Sequence, residues 1–589
     1  MIDPRAEYTR RREERRARTT QLQRRHVWLG NAKVLVVVAV PVAMLLGAAW
    51  QAYAAMGAAL AILLAVHEGV VRQRDHSRRA EAFYARALER LDGKWAGRGD
   101  SGDDYADAEH PYAQDLDVFG KGSLFERLSV ARTRAGATTL ARWLSQPEAD
   151  ARELRSRQEA VTELKPRLEL REALAFLGED VMAGVHATEL VAWGRQPAVG
   201  VSARMRLLAA GLVVLFLAAL VAALTGRAPL SLALAAVVPL AGFRLAHRRS
   251  VAHVVAAVDQ PGHDLGLLAS VLRRMEQENF LNLRLRDLKG RLDVEGKPSS
   301  RRIATLNRLV EALDSRDHLL VRIIDPFLLW TEQLAFAIEA WRLRNGRDIQ
   351  KWLEALGELE ALSGLASYSF ERPEDPFPEF VDGAAVVEAD GISHPLLSDR
   401  AVANDVRLDQ DLAVYFVSGS NMSGKSTLLR TLGVNVVLAL AGAPVCARRL
   451  RLTPMSVGAS IRVTDSLATG ISRFYAEVLR LKKISDLANG DLPLLFLFDE
   501  LLHGTNSHDR RIGAEAVVVR LVERGALGLV TTHDLALTEI VGKLHPRAKN
   551  VHFEDHFEEG RIRFDYLLKD GVVQKSNALE LMRSVGLDV

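Results

Sequence analysis

The chain has 589 residues, 48% of them hydrophobic and 26% charged, with a net charge of only +3. That length predicts several domains rather than one core. The single cysteine, Cys446, excludes a disulfide framework and any multi-cysteine zinc site, and the near-balanced charge points to no class of partner.

Residues 1–30 are a basic tail carrying Arg10, Arg11, Arg12, Arg15, Arg16, Arg18, Arg24 and Arg25. This is longer than the charged region of a cleavable signal peptide, and no small-residue cleavage site follows. Two apolar runs come next, 34–50 and 52–66, with the basic Arg72, Arg74, Arg78 and Arg79 behind them. A second pair, 207–224 and 228–243, turns at Thr225-Gly226-Arg227 and is followed by Arg244, His247, Arg248 and Arg249. Each run is near the lower length limit for crossing a hydrocarbon layer of roughly 30 Å. With basic flanks on one side throughout, they predict two transmembrane hairpins, 31–72 and 201–249. Both chain ends then face the cytoplasm of a multi-pass protein of the bacterial inner membrane, and the arginine-rich tail orients the first hairpin.

Between and after the hairpins the pattern is helical. A short helix at 80–91 and a Gly/Asp-rich linker at 97–109 make up the segment 73–114. Residues 115–200 and 250–375 have apolar residues at three- and four-residue spacing, as at Leu140, Trp143 and Leu144, and predict an all-α region interrupted by the second hairpin. Arg372-Pro373 and Asp375-Pro376 end it. From 376 to 589, strand-like segments (384–388, 413–418, 494–498, 528–532) alternate with helices and predict an α/β domain with a largely parallel sheet.

The chemistry concentrates there. The strand 413–417 runs into Gly419-x-x-x-x-Gly424-Lys425-Ser426, with a helix from Thr427. In that setting the pattern predicts a phosphate-binding loop. Glycines let backbone N–H groups turn toward phosphates, and the helix N-terminus adds its positive end. Lys425 is expected to reach the β- and γ-phosphates of ATP and Ser426 to ligate Mg²⁺. The apolar strand 494–498 delivers Asp499 and Glu500 at its end, as in a Walker B element: Asp499 for Mg²⁺, Glu500 for the attacking water. A further strand ends at His533, a candidate γ-phosphate sensor.

These residues carry a resemblance. Asn421-Met422-Ser423-Gly424-Lys425-Ser426-Thr427 resembles the phosphate loop of the MutS mismatch-repair ATPases. Asp499-Glu500 with Gly504-Thr505-Asn506 is similar to that family's Asp-Glu-x-x-x-Gly-Thr, and Thr531-Thr532-His533 to its Thr-Thr-His. The segment from Asp465 through Leu467, Gly470, Ser472 and Phe474 to Glu477 resembles its signature segment; so do Gly391 to Leu397 with Asn404-Asp405, and Ser576 to Leu579. Upstream, Gly122 to Phe125, Thr133 to Gly136, Leu140 to Leu144 and Arg157 to Val161 look like its helical lever.

The resemblance implies an ABC-type/MutS P-loop ATPase domain behind a lever domain. ATP would be held by Gly419, Ser420, Asn421, Met422, Ser423, Gly424, Lys425, Ser426 and Thr427, and Ser472 would reach it from a second subunit of a homodimer. It also implies DNA as a partner. The expected departure is the mismatch-recognition domain, in whose place stand the basic tail and first hairpin. Two functions follow: a membrane-anchored, DNA-binding ATPase with ATP-driven switching, or a mechanochemical ATPase that moves its hairpins or a protein partner without DNA. Four short spans disfavour a transporter.

Overall fold

The computed structural model describes residues 2–199, 203–397, 401–420, 422–462, 473–503, 505–558 and 561–573. The chain divides into two compact units, one of residues 1–130, 138–168 and 362–589, the other of 131–137 and 169–361.

The first unit opens with an antiparallel pair, α1 (Pro4–Leu45) and α2 (Trp50–Leu91). Asp3 caps α1 by accepting the Arg5 N–H, and Pro4 supplies a preset first-turn φ. The arginine-rich segment is therefore part of a helix, and the expected separate helix at 80–91 is the end of α2. The turn falls at 46–49, earlier than the break expected at Gln51. At 42 residues each helix is about 63 Å long, twice the thickness of a hydrocarbon layer. The basic half of α1 packs on the second half of α2 through Tyr8, Tyr84, Ala80 and Ala87, and Ser77 Oγ donates to the Arg15 carbonyl at 3.0 Å. The apolar half leaves Leu35, Leu45 and Trp50 more than 70% exposed.

The expected linker at 97–109 is ordered. The Glu126 carboxylate accepts from the backbone N–H groups of Arg98, Gly99 and Gly122 at 2.7–2.9 Å, a cluster that holds the carboxyl below its ordinary range against the opposing effect of burial. The helices α3 (Leu124–Leu128), α4 (Arg134–Ser145) and α5 (Ala151–Leu164) follow.

The second unit is helical: α6 (Leu168–Gly184), α7 (Ala187–Arg195), α8 (Ala203–Leu224), α9 (Leu230–Gln277) and α10 (Leu283–Gly290). A two-residue-per-strand hairpin, β1 (Asp293–Val294) and β2 (Lys297–Pro298), precedes α11 (Ser299–Asp314), α12 (Leu319–Leu328), α13 (Trp330–Asn345) and α14 (Ile349–Glu371), of which residues from 362 on belong to the first unit. α9 is one rod of 48 residues, about 72 Å, whose apolar start pairs with α8 and whose remainder packs on α11 and α13. The apolar stretch 319–341 is split at Leu329, in the left-handed region at φ 47°, and Phe327 of α12 stacks on Phe216 of α8 at 5.5 Å. Among the described residues, four helices, α1, α2, α8 and α9, are long and apolar enough to cross a membrane, judged by length and composition. In the basic stretch 284–302, Arg284 pairs with Glu358, Arg291 with Asp287, and Arg302 donates to Asn345.

The C-terminal part of the first unit carries two sheets. A four-stranded sheet has the order β3 (Glu379–Phe380), β7 (Arg449–Leu452), β4 (Val387–Ile392), β5 (Asn404–Leu408). The six-stranded sheet joins β6 (Val414–Ser418), β8 (Ser456–Ser460), β9 (Leu494–Asp499), β10 (Leu527–Thr532), β11 (Ala548–His552) and β14 (Lys569–Asp570). Its order is β14-β11-β6-β10-β9-β8, parallel except for β14. β12 (Asp555–Glu558) and β13 (Arg561–Phe564) form a separate hairpin. The helices α15 (Lys425–Ala441), α16 (Arg473–Leu487), α17 (Ser507–Glu523), α18 (Leu535–Thr538) and α19 (Ile540–Leu544) complete the domain. β6, β9 and β10 are buried almost throughout, as continuous apolar strands covered on both faces are.

Candidate nucleotide site

The parallel order brings the C-terminal ends of β6, β10 and β9 side by side, and each delivers one part of the candidate site. From β6 the chain turns through Gly419 (φ 151°), Met422 (φ 70°) and Gly424 (φ 105°) into α15, which begins at Lys425, two residues before the expected start. A Cβ at Gly419 would lie 2.8 Å from Ser423 Oγ and 3.1 Å from the Phe553 carbonyl, so only glycine fits. The Lys425 ammonium is buried and donates to the carbonyls of Gly419 and Ser420, 2.8 Å each. Burial lowers its pKa, with Glu500 and Asp499 pulling the other way, so both carboxylates lie within electrostatic reach of it. Met422 is 86% exposed, Ser426 half-buried and Thr427 exposed. Asn421 and Ser472 lie outside the described residues, as do 465–472 of the signature segment, Gly504 and Ser576 to Leu579.

At the end of β9, Asp499 accepts from the Thr531 hydroxyl of β10, and the Glu500 N–H donates to Thr531 Oγ1 at 3.2 Å. Glu500 is at φ 51° and Leu502 at φ 55°. This turn is held from behind: the buried Glu477 of α16 accepts the Leu502 N–H at 2.5 Å, and Arg510 donates to the carbonyls of Leu502 and His503 at 3.3 Å. Past β10, His533 Nδ1 stands 3.2 Å from Glu500 Oε1. Lys425, Asp499, Glu500 and His533 thus lie at neighbouring strand ends.

Whether the residues fit a triphosphate can be tested on the loop itself. Among the described residues, the buried hydroxyls of Ser420 and Ser423 have no hydrogen-bond partner, an arrangement that costs about 1–3 kcal/mol per group unless an acceptor is supplied. A glycine-lined turn, two unmet donors, a buried ammonium and a helix N-terminus form a set suited to phosphate oxygens. Beside it lies a cavity of about 410 Å³, lined among others by Ile392, His394, Met422, Phe553 and Tyr566. Asn404 shapes that wall, donating to the Tyr566 carbonyl at 3.0 Å and accepting the Leu568 N–H at 2.7 Å. Burial pushes the His394 pKa down to about 4, so this imidazole is a neutral wall residue.

Three contributors had no sequence signal. Asp115 accepts the N–H groups of Ile461 and Arg462 at 2.8 and 2.7 Å and pairs with Arg480 at 2.5 Å, fixing the chain where it leaves β8. These partners are some 350 residues away in sequence, beyond any local pattern. The Tyr566 loop and His503 are likewise visible only once the strand ends are aligned.

A mixed α/β domain presenting a phosphate-type loop, two acids and a histidine at adjacent parallel strand ends, behind a helical region, defines the class. Residues 415–588 match MutS domain V and residues 112–366 match MutS domain III. The chain belongs to the MutS family. It is 32% identical over 238 residues to the DNA mismatch repair protein MutS of Aquifex pyrophilus, covering 39% of this chain and 27% of that protein. It is 28% identical over 288 residues to the DNA mismatch repair protein MutS of Staphylococcus haemolyticus, covering 47% and 30%. To the Endonuclease MutS2 of Thermus thermophilus it is 32% identical over 247 residues, covering 42% and 32%. The matches span less than a third of the length of these relatives.

Proposed function

We propose that this protein binds and hydrolyses ATP with Mg²⁺ at the 419–427 loop, as a homodimer anchored in a membrane by its α1–α2 and α8–α9 hairpins, and that ATP-driven switching is coupled to DNA binding. The observation that carries the ATP reading is the loop with its two unpartnered buried hydroxyls and Lys425, facing Asp499, Glu500 and His533 on the neighbouring strands. Lys425 leaves its two carbonyl partners for the phosphates, and Ser420 and Ser423 donate to the oxygens beside it. Glu500 orients the attacking water, and His533, at its carboxylate, stands where a γ-phosphate is sensed. Ser426 and Asp499 would hold Mg²⁺, which would supply charge neutralisation for phosphoryl transfer.

The membrane part rests on four apolar helices whose exposed Leu, Val and Trp side chains would each cost roughly 1.5–3 kcal/mol in water relative to burial. Shared sites, with Ser472 acting in trans, and the DNA partner come from the family resemblance. In equilibrium titrations, labelled ATP with Mg²⁺ should bind the wild type and Glu500→Gln, and Lys425→Ala should bind far more weakly. Duplex, mismatched and branched DNA are then titrated in the ATP state; affinity should fall steeply with salt as counterions are released. Salt-independent or absent DNA binding removes the DNA partner.

One observation favours the second reading, a mechanochemical ATPase without DNA. α9 continues, with Pro239 and Pro261 inside it, from the apolar hairpin into the part packed on α11 and α13, and this continuity supports coupling between its two halves.

A further inference from the structure

Two of the residues assigned to ATP hydrolysis, Glu500 and His533, share a donor set with His503, which that reading leaves without a role. Glu500, His503 and His533 each offer one ligand atom, and these atoms lie within 4.8 Å of one another. His533 Nδ1 is 3.2 Å from Glu500 Oε1 and His503 Nδ1 is 3.9 Å from Glu500 Oε2, on opposite oxygens of one carboxylate. The two imidazoles meet edge to face, with centroids 5.3 Å apart. Tetrahedral zinc, with bonds of about 2.0–2.1 Å, needs donors about 3.3–3.4 Å apart; the His533–Glu500 pair stands near that spacing, and His503 is the wider contact that an ion would draw in.

The backbone produces this convergence. The left-handed residues Glu500 and Leu502 curl the turn after β9 so that positions 500 and 503 face one side. Glu477 and Arg510 clamp the turn from behind, and His533 arrives on the adjoining strand β10. The side chains are 31–43% exposed, so an ion has a path from solvent.

We propose that Glu500, His503 and His533 bind a divalent transition metal of the zinc class, leaving a coordination position open, and that its binding holds the ATPase off. Two imidazoles and one carboxylate select a borderline metal over Mg²⁺, which takes oxygen ligands and keeps its waters. The ion is thus distinct from the Mg²⁺ at Ser426 and Asp499. Inhibition follows because coordination occupies the Glu500 carboxylate and the His533 ring; this consequence rests on the ATPase reading, whereas the metal site does not.

The test uses the full-length protein in detergent or nanodiscs, with Co²⁺ as the spectroscopic probe and Zn²⁺ as competitor. Wild type should bind one Co²⁺ per chain, with visible absorption bands of nitrogen–oxygen coordination that Zn²⁺ abolishes. His503→Ala and His503→Asn should lose those bands and weaken binding by at least about 10-fold, the loss that removing even an outer-shell partner produces. Zn²⁺ should lower Mg²⁺-dependent ATP turnover of the wild type, whereas the turnover that His503→Ala retains should be the same with and without Zn²⁺. Absent binding by the wild type, or Co²⁺ bands unchanged by both His503 substitutions, overturns the metal site. Binding that depends on His503 in a protein with no ATP turnover sustains the site and sinks the ATPase reading. Turnover that ignores bound Zn²⁺ overturns the inhibitory role.

Discussion

Glu371 is fully buried at the end of α14 and carries two guanidinium groups, Arg90 of α2 at 2.6 Å and Arg127 of α3 at 2.8 Å. Burial drives its pKa up, and the two arginines more than offset that, so the net shift is down. Glu360, about three turns earlier on the same helix, has only the weaker pull of Arg132 to set against its burial. It accepts from the Thr133 hydroxyl and from the N–H groups of Arg132 and Thr133 at 3.2 Å, and burial raises its pKa to about 7. The signs are therefore opposite. Stabilisation by Glu371 is complete above the unfolded carboxylate value near 4.3 and is lost as pH falls through the lower folded value. Stabilisation by Glu360 is complete below about 4.3 and is lost as pH rises through 7. In thermal unfolding of the full chain between pH 4 and 8, Glu360→Gln should remove a decline that the wild type shows on approaching pH 7. Glu371→Gln should cost about 3–5 kcal/mol across that range, because it leaves two buried arginines without their anion. A Glu360→Gln curve parallel to the wild type would contradict the first expectation.

Among elements, what was legible in the sequence followed the range of the forces that make it. The strand–loop–helix at 414–441 and the strand ending in Asp499-Glu500 are set by local pattern, and both form within two residues of expectation. The ordering of 97–109 is not local: the Glu126 carboxylate of α3 accepts the N–H groups of Arg98 and Gly99, and the Tyr105 ring packs on Phe119 and Phe125. Composition alone makes that segment look like a linker. Likewise the arginines of 10–25 read as a tail because α1 has little amphipathic signal, whereas Tyr8 is fully buried on Tyr84 and Phe370. A close approach that no pattern announces is Gly433 in α15, where a Cβ would sit 2.7 Å from both Leu116 and Leu497. It lets the 110–128 segment and β9 reach the same helix. Gly433→Val should lower stability by about 1–3 kcal/mol through overpacking. Denaturation at equal protein concentration measures it, and a neutral result would mean that the approach is looser than the geometry states.

At the scale of the molecule, the proposed anchoring puts the turns of both hairpins on the side of the membrane opposite the ATPase domain. Cys446, the only native thiol, is buried, so introduced cysteines can be read against a quiet background. Ala48→Cys and Ala228→Cys should react with an impermeant maleimide added outside spheroplasts, and Ser129→Cys should react only after lysis. Labelling of the turns only after lysis would place them inside and remove the hairpin topology.

The central claim, ATP hydrolysis at a site shared between two copies, has one direct test. ATP turnover with Mg²⁺ is measured for wild type, Lys425→Ala, Ser472→Ala, and the two variants co-assembled in one membrane preparation. The account predicts turnover by the wild type and near-complete loss in each variant alone. The co-assembled pair should recover about a quarter of wild-type activity, since half of randomly mixed dimers keep one intact site of two. Turnover that survives Lys425→Ala would contradict the account outright, and a co-assembled pair as inactive as its parents would restrict each site to a single chain.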